Sequence, residues 1–377
     1  MKIIVAGDFC PYDRVQKLID ENHFEDVLGN VSHLIESADY SLVNFECPVV
    51  DENVLAAPIQ KCGPNLSCTE KGLEAAKFVG FKAVTLANNH VLDYGSKGLN
   101  STIENCRKIG LDFLGVGINK QDAKKILYKN IEGKQIAFIN CCEHEFSIAT
   151  DSEPGANPLN PIQQFYDIQE ARKNADWIFV IVHGGHEYYQ LPSPRMKEIY
   201  RYFIDCGADA VINHHQHCYS GYEIYKDRPI FYGLGNFCFD NKNHHAGIWT
   251  EGYIVEFVIT NSISFNIIPY VQCADEPKVF LMDEDKKSFF FKEIDRLNLI
   301  ISNDNLLKNE FLDWMSKTEN GYKVLFSPYS NRFLKALVFR GMLPSFLVKS
   351  KILAFINYIE CESHRDRILS FLHNKIK

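Results

Sequence analysis

The chain has 377 residues, of which 46% are hydrophobic and 13% aromatic, so it can bury a substantial core and is not expected to be disordered. Its formal net charge of −8 argues against general nucleic-acid binding, which needs a strongly basic surface. The first residues are not expected to act as a signal peptide, and no run reaches the ~18 apolar residues that a membrane-spanning helix needs. We therefore expect a cytoplasmic protein whose twelve cysteines are reduced, mostly buried thiols.

The first 275 residues alternate short β-branched runs with amphipathic segments, a pattern typical of a sheet covered by helices. The predicted strands cover residues 3–6, 40–45, 83–87, 136–140, 177–182, 210–213 and 230–232. The predicted helices cover residues 69–79, 98–109, 161–174 and 194–206. Turn residues at 132–134 and 226–229 predict two hairpins, so we expect mixed sheets.

The pattern changes near Asp283 to helical periodicity over 286–301, 306–317 and 331–375, with a break at Pro344. We therefore predict an α/β catalytic domain over residues 1–277 and a helical C-terminal extension over residues 278–377. From Lys323 onward the chain has ten Lys and Arg but three Asp and Glu, mixed with many apolar residues. Such a tail either packs on the catalytic domain, which we prefer because core helices are commoner, or contacts an anionic membrane surface as a peripheral segment.

Polar side chains follow almost every predicted strand. Because the ligand crevice of an open α/β sheet lies beyond the carboxyl ends of its strands, residues far apart in sequence can meet there. Carboxylates, an amide oxygen and imidazoles are ligands that divalent Mn, Fe or Zn accept, and cysteine is absent from these positions. Six such donors suit two divalent metal ions better than one, and they are Asp8, Glu46, Asn89, His183, His215 and His217.

Each of these residues also has a structural interpretation. Asp8 could cap a turn, Glu46 could be a solvated loop carboxylate, and Asn89 tolerates turn conformations. The pair His215 and His217 is more specific, because His-x-His after a buried strand has few purely structural uses. The agreement of five strand ends, rather than any single residue, favours the metal site.

Six stretches of the chain carry a recognisable pattern, and they are Ala6-Gly7-Asp8, Asn44-Phe45-Glu46, Leu86 to Gly95, His183 to Tyr188, Gly207 to His217 and Tyr232 to Phe237. In this order, over about residues 1–275, they resemble the CapA family of poly-gamma-glutamate capsule biosynthesis proteins, whose domain is similar to calcineurin-like metallophosphoesterases.

The resemblance implies a four-layer α-β-β-α sandwich with mixed sheets, of the metallo-dependent phosphatase type, followed by the helical extension. It also implies that one carboxylate bridges two metal ions. The first ion would be held by Asp8, Glu46 and His217, and the second by Asn89, His183 and His215. By the same resemblance, His90 would act as a general acid oriented by Asp93, and Glu187 and Glu223 would line the cleft. Glu187 is counted with His90 and Asp93 among the expected catalytic residues.

Four positions depart from the pattern of these relatives. Metallophosphoesterases begin with Asp-x-His, but Cys10 stands at the place of that histidine, so one metal site is expected to be weak or empty. Glu46 replaces a shorter aspartate. Asn213 stands where glycine is usual, and Gly184 stands where tryptophan is common, which is expected to open the cleft.

The sequence thus predicts a dinuclear metal-dependent hydrolase, phosphoesterase-like or amide-cleaving, associated with capsule, poly-gamma-glutamate or exopolysaccharide metabolism. Its substrate would be a phosphoester or an anionic polymer, and no nucleic-acid partner is expected. The main alternative is a protein that binds or guides a capsule polymer without cleaving it, which Cys10 favours. A structural α/β protein with an incidental histidine cluster is a third possibility.

Overall fold

The computed structural model describes residues 1–50, 56–61, 63–325, 331–344 and 347–360. The strands are β1 (Lys2–Cys10), β2 (Tyr40–Phe45), β3 (Ala83–Thr85), β4 (Asp112–Leu114), β5 (Val116–Gly117), β6 (Leu127–Ile131), β7 (Lys134–Cys142), β8 (Gly155–Ala156), β9 (Trp177–His183), β10 (Ala210–His214), β11 (Tyr222–Tyr225), β12 (Arg228–Phe231), β13 (Asn236–Phe239), β14 (Glu251–Ile259), β15 (Ile263–Gln272) and β16 (Val279–Leu281). The α-helices are α1 (Asp13–Asp20), α2 (Phe24–Glu36), α3 (Lys71–Phe78), α4 (Gly95–Ile109), α5 (Lys120–Ala123), α6 (Pro161–Asn174), α7 (Pro194–Asp205), α8 (Glu284–Ser302), α9 (Asp304–Leu325), α10 (Arg332–Phe339) and α11 (Lys349–Glu360).

The larger sheet has the strand order β16-β15-β14-β1-β2-β3-β4. Strands β1 to β4 are parallel, whereas β14, β15 and β16 continue the sheet antiparallel. Strand β13 pairs in parallel with the C-terminal end of β1, so that Asp8 lies opposite both Asn44 and Asn236. This pairing brings three chain segments to the same sheet edge.

The smaller sheet has the order β11-β12-β10-β9-β7-β6, with β7, β9, β10 and β12 parallel. Its two outer strands are attached by hairpins, in which Ile131 pairs with Lys134 and Tyr225 pairs with Arg228. All four turn residues have positive φ, between 49° and 81°, as type I′ turns require. Both predicted hairpins are confirmed.

The two sheets face each other across an aromatic core. Phe257 on β14 lies 5.1 Å from Phe179 and 5.7 Å from Phe231 between ring centroids, and Tyr40 lies 5.4 Å from Phe138. Helices α1 to α4 pack on the outer side of the larger sheet, and α6 and α7 pack on the smaller one. The predicted four-layer α-β-β-α arrangement with mixed sheets is confirmed.

The chain divides into two compact units, Met1–Lys308 and Asn309–Lys377. This division follows α8, whereas the predicted boundary after residue 277 precedes it. The reason is that α8 buries apolar side chains within the first unit: Phe290 lies 4.7 Å from Tyr219 and 5.9 Å from Tyr253 between ring centroids. The assignment of different roles to residues 1–277 and 278–377 stays a prediction.

The predicted helix over 331–375 is described as α10 and α11, which are separated around Pro344, and its last part lies outside the described residues. Within the part of the chain that the structure describes, no helix combines the length and apolar character needed to cross a membrane. The ten cysteines described are all free and buried, as expected for reduced thiols.

Candidate metal centre

Asp8 reaches the sheet edge because β1 and the loop before β13 approach very closely. A Cβ atom on Gly7 would lie only 1.9 Å from the carbonyl oxygen of Gly235, so only glycine fits there. The backbone N–H of Asp8 donates to the same carbonyl over 3.0 Å. The close contact therefore requires glycine at position 7, and the backbone hydrogen bond holds Asp8 beside it.

The Asp8 carboxylate is held by three groups. Asn44 Nδ2 donates to Oδ1 over 2.8 Å, the His215 backbone N–H donates to Oδ2 over 3.2 Å, and His214 Nδ1 lies 3.2 Å from Oδ1. Burial opposes ionisation, but His214, His217 and Asn44 outweigh it, and the pKa of Asp8 is lowered. Asp8 is thus an ionised, oriented donor.

Glu46 follows β2 and is completely buried. Neither of its carboxylate oxygens has a hydrogen-bond partner among the described residues, and its Oε1 lies 3.5 Å from His183 Nε2 and 3.7 Å from His217 Nε2. Burial raises the pKa of Glu46 well above its usual value, and the charges of Asp8 and Glu187 raise it further. Because an unpaired buried carboxylate is costly unless a cation neutralises it, this side chain fits a metal ligand.

One group of donors surrounds His183. Its Nε2 lies 3.1 Å from His215 Nδ1 and 3.0 Å from Asn89 Oδ1. Two donors at ~2.1 Å from the same ion lie about 3.0–3.4 Å apart, so this spacing suits a shared ion. Burial lowers the pKa of His183 well below its usual value and that of His215 to about 4, so both rings are neutral at pH 7 and offer lone pairs.

The second group consists of Asp8, Glu46 and His217, whose ligand atoms lie within 4.8 Å of one another. His217 Nδ1 lies 2.9 Å from Asn236 Oδ1 and can donate to this acceptor. That hydrogen bond leaves Nε2 with its lone pair on the side of Glu46, which is how a neighbouring amide fixes the tautomer of a metal-binding histidine.

Glu46 belongs to both groups, since it also lies within 4.8 Å of His183 and His215. The His-x-His loop is bent to reach this point: His215 has φ 91° and His217 has φ 54°, which is the left-handed region that non-glycine residues rarely adopt. All six predicted ligands are therefore brought together, while their binding of metal stays a prediction.

His90 and Asp93 form a buried pair beside this cluster. His90 Nδ1 lies 2.7 Å from Asp93 Oδ2, which also accepts from the Leu66 backbone N–H over 2.6 Å. Burial lowers the pKa of His90, and Asp93 only partly opposes the effect. Lys61, whose side chain is 2% exposed, forms an ion pair with Asp93 and places Nζ 3.2 Å from His90 Nδ1. The sequence prediction missed Lys61, because it lies in a loop without a recognisable motif.

Glu145 is a second residue that the sequence prediction missed. Its Oε2 accepts from Asn89 Nδ2 over 3.0 Å and lies 3.9 Å from His215 Nε2. It follows the end of β7, so the strand-end rule would have identified it if the strand had been extended to Cys142. Burial raises the pKa of Glu145, and the charge of Glu187 raises it further.

The two predicted cleft glutamates differ in position. Glu187 is exposed, and its charge acts on Glu46, Glu145 and His215. Glu223 instead accepts from Arg201 Nε over 3.0 Å and from the Tyr232 hydroxyl. These contacts make Glu223 part of an ion pair on β11, and its place in a cleft stays a prediction.

The structure shows the contacts of three residues that depart from the pattern of the resembling proteins, namely Cys10, Gly184 and Asn213. The Cys10 thiol is buried and forms a hydrogen bond with the free thiol of Cys47, so it belongs to the core rather than to the cluster. A Cβ atom on Gly184 would lie 2.7 Å from Glu143 Cγ. The Glu143 side chain therefore fills the space beside Gly184, where the absence of tryptophan was expected to open the cleft. Asn213 Nδ2 donates over 2.8 Å to the Gly184 carbonyl, which fixes the end of β9 against β10.

The fold and the site define an α/β sandwich with a buried carboxylate–histidine cluster at its strand ends, of the kind that holds divalent metals. The sequence model of the family described as "Bacterial capsule synthesis protein PGA_cap" matches residues 2–241. The chain is also 30% identical over 334 residues to the capsule biosynthesis protein CapA of Bacillus anthracis, covering 82% of this chain and 79% of that one. It belongs to this family of bacterial capsule synthesis proteins.

Two further comparisons are more partial. The PGA biosynthesis protein CapA of Bacillus subtilis strain 168 is 32% identical over 239 residues, 62% of each chain. A solved 5'-nucleotidase precursor from Thermus thermophilus is 11% identical and covers 87% of this chain and 60% of that chain, with a TM-score of 0.42. At so low a score the fold assignment rests on the sheets and helices described above.

Proposed function

We propose that this protein is a dinuclear metal-dependent hydrolase that cleaves a phosphoester, or an amide of an anionic polymer, in capsule or poly-gamma-glutamate metabolism. The observation that carries the proposal is Glu46, a buried carboxylate without hydrogen-bond donors that is shared by two groups of ligand atoms. Membership of the capsule synthesis family and the names of the Bacillus relatives support the biological setting.

The donor set fits two divalent ions. Glu46 would be common to both, and the neutral rings of His183 and His215 suit ions of the Mn, Fe or Zn type better than Mg. The remaining ligands would be Asp8 and His217 on one side and Asn89 on the other. Divalent ions in such a site supply a water of lowered pKa and stabilise developing negative charge.

The protein's own proton donor would be His90. The contact between His90 Nδ1 and Asp93 fixes the ring and leaves Nε2 to transfer a proton to the leaving oxygen or nitrogen. Lys61 holds Asp93 in place from the other side. An anionic substrate opposes the effect of burial on His90, because a nearby negative charge favours the imidazolium form.

A second candidate function is the binding or guiding of a capsule polymer without hydrolysis. The observation that favours it is Cys10, whose buried thiol contributes nothing to the group of Asp8, Glu46 and His217. A group with only three protein ligands would bind its ion more weakly. The number of metal ions per chain therefore separates the two functions.

The test is to measure metal content by elemental analysis and then to assay the protein with Mn, Fe, Zn or Mg on an aryl phosphate and on a γ-glutamyl anilide. We expect two ions per chain and turnover of one of these substrates. His90→Gln should lower kcat by about 10²–10⁴-fold while metal content is unchanged.

His33→Gln, on the exposed surface of α2, is the matched control and should leave both kcat and metal content unchanged. One weakly held ion, or none, together with no turnover under any condition, would contradict the hydrolase and favour polymer binding.

A further inference from the structure

Three rings, those of Tyr188, His244 and Trp249, are stacked nearly parallel in the structure. Their planes differ by 24° to 27°, and their centroids are separated by 4.9 Å to 5.8 Å. They come from two separate segments, the loop after β9 and the segment between β13 and β14. We call this group the aromatic platform.

The platform begins at the metal centre. The Trp249 ring lies 5.0 Å from that of His217, and Tyr188 lies 6.4 Å from the same histidine. Trp249 is buried and its Nε1 donates to the Phe239 carbonyl over 3.0 Å, whereas Tyr188 is 43% exposed. The platform therefore leads from a predicted ligand outward to solvent.

The backbone at Tyr188 is strained. Its φ is 61°, and its N–H donates to the Gln216 carbonyl over 2.8 Å, which ties the residue to the His-x-His loop. Glycine would take this conformation without steric penalty, yet a large aromatic residue stands here, partly exposed. Strain of this kind is typically retained where the side chain is used.

We propose that the aromatic platform binds a planar, π-bonded group that the substrate carries next to its reacting group. The inference rests on the proposed function, since it assumes that the reacting group binds at the cluster. Aromatic faces stack on flat π systems, such as an aryl ring, a heterocycle or a conjugated amide. A saturated ring of equal size gains only the apolar contact.

The experiment uses the full-length, Mn-loaded protein and three ligands that cannot be hydrolysed. Phenylphosphonate and cyclohexylphosphonate have similar size and the same anionic group but differ in planarity, and methylphosphonate measures the anionic group alone. Binding is followed by calorimetry and by tryptophan fluorescence, because Trp249 belongs to the platform. We expect phenylphosphonate to bind at least about fivefold more tightly than cyclohexylphosphonate, with quenching of the fluorescence.

Two substitutions separate stacking from bulk. Tyr188→Leu should abolish the preference for phenyl over cyclohexyl, and Tyr188→Phe should retain it. His244→Ala is an independent variant that should reduce the preference without changing the residue tied to Gln216. Unchanged Mn content and melting temperature establish that each variant is folded.

Equal affinity for the two rings, or a preference that survives in Tyr188→Leu, would overturn the platform, as would failure of phenylphosphonate to bind. None of these results depends on turnover. If the protein prefers phenylphosphonate but hydrolyses neither test substrate, the platform proposal stands and the hydrolase proposal fails. If it hydrolyses a substrate but shows no preference between the two rings, the hydrolase proposal stands and the platform proposal fails.

Discussion

The two compact units of this chain use their apolar residues in different ways. In Met1–Lys308, large side chains such as Phe179, Phe231 and Phe257 are fully buried between two sheets. In Asn309–Lys377, the described part has exposed apolar side chains, with Phe333 69% and Met342 67% exposed, and α10 has no buried residue. The contrast indicates that the first unit is built around a buried aromatic core, whereas the described helix α10 of the second presents apolar surface.

Charge follows the same division. Residues 309–377 contain eleven Lys and Arg against six Asp and Glu, a balance of +5, whereas residues 1–308 have a balance of −13. Short helices that bury little surface are marginal on their own, so their stability depends on what they contact. We therefore expect the chemistry to depend on the first unit alone and the second unit to act through surface contacts. Four experiments test this contrast.

The largest effect is expected for Glu46→Gln. The substitution keeps the size of the side chain but removes the one negative charge common to both ligand groups. We expect tight metal binding and hydrolysis to be lost together, as measured by elemental analysis and by Mn titration calorimetry. Glu104→Gln, on the exposed side of α4, is the control. Two tightly bound ions in Glu46→Gln would remove the central role given to this carboxylate.

The second largest effect is expected on the free energy of unfolding, which should respond differently to substitutions in the two units. Phe257→Ala leaves a cavity between the sheets and should lower the free energy of unfolding by about 3–5 kcal/mol. Phe333→Ala in α10 should change it by less than about 0.5 kcal/mol, because the ring is exposed. Denaturant unfolding followed by circular dichroism measures both. Similar losses for the two variants would show that Phe333 is also part of a cooperative core.

A smaller effect is expected for Asn236→Ala. Without the Asn236 amide, His217 loses the acceptor that orients its ring, so metal affinity should fall by about 10–100-fold. Asn266→Ala is the control, since its amide bonds Glu256 far along β14 and should not affect metal binding. Titration calorimetry with Mn measures the affinities of the variant and of the unaltered protein. Equal affinities would mean that His217 is not a ligand.

The smallest effect concerns the second unit. If the tail contacts an anionic membrane, the full-length protein should co-sediment with vesicles that contain anionic phospholipid, and Lys335→Ala should weaken binding by about 1 kcal/mol. Lys108→Ala, exposed on α4, should bind like the unaltered protein. Absence of any co-sedimentation would favour the preferred prediction, in which the tail packs on protein.

Local sequence signals predicted much of the fold. Asn160 and Pro161 begin α6 where expected, because the Asn160 side chain accepts from the N–H groups of the first turn and proline suits the first helical position. The hairpin at Gly133 was also predicted from local sequence, because its turn residues must take positive φ and glycine does so readily. Strands β13 to β16 were not predicted, although they complete the larger sheet.

The candidate site likewise contains residues that the sequence did not predict. Lys61 joins the cluster through a contact with His90, 29 positions away, and no spacing in the sequence signals this contact. Glu145 contacts Asn89, 56 positions away, and it was missed because the predicted strand ended at residue 140 and not at Cys142. Asn236 belongs to the stretch Tyr232 to Phe237 that resembles the family, but its acceptor role for His217 follows from the pairing of β13 with β1.

The sequence alone determined the types of donor and their place at strand ends, because hydrophobic runs mark where each strand stops and a polar residue there has only the sheet edge to occupy. Tertiary structure decided which donors meet and that Glu46 is common to both groups. The reason is that β1 takes its neighbours from segments about 40 and more than 200 residues away, and that the left-handed turns at His215 and His217 are held by those long-range contacts.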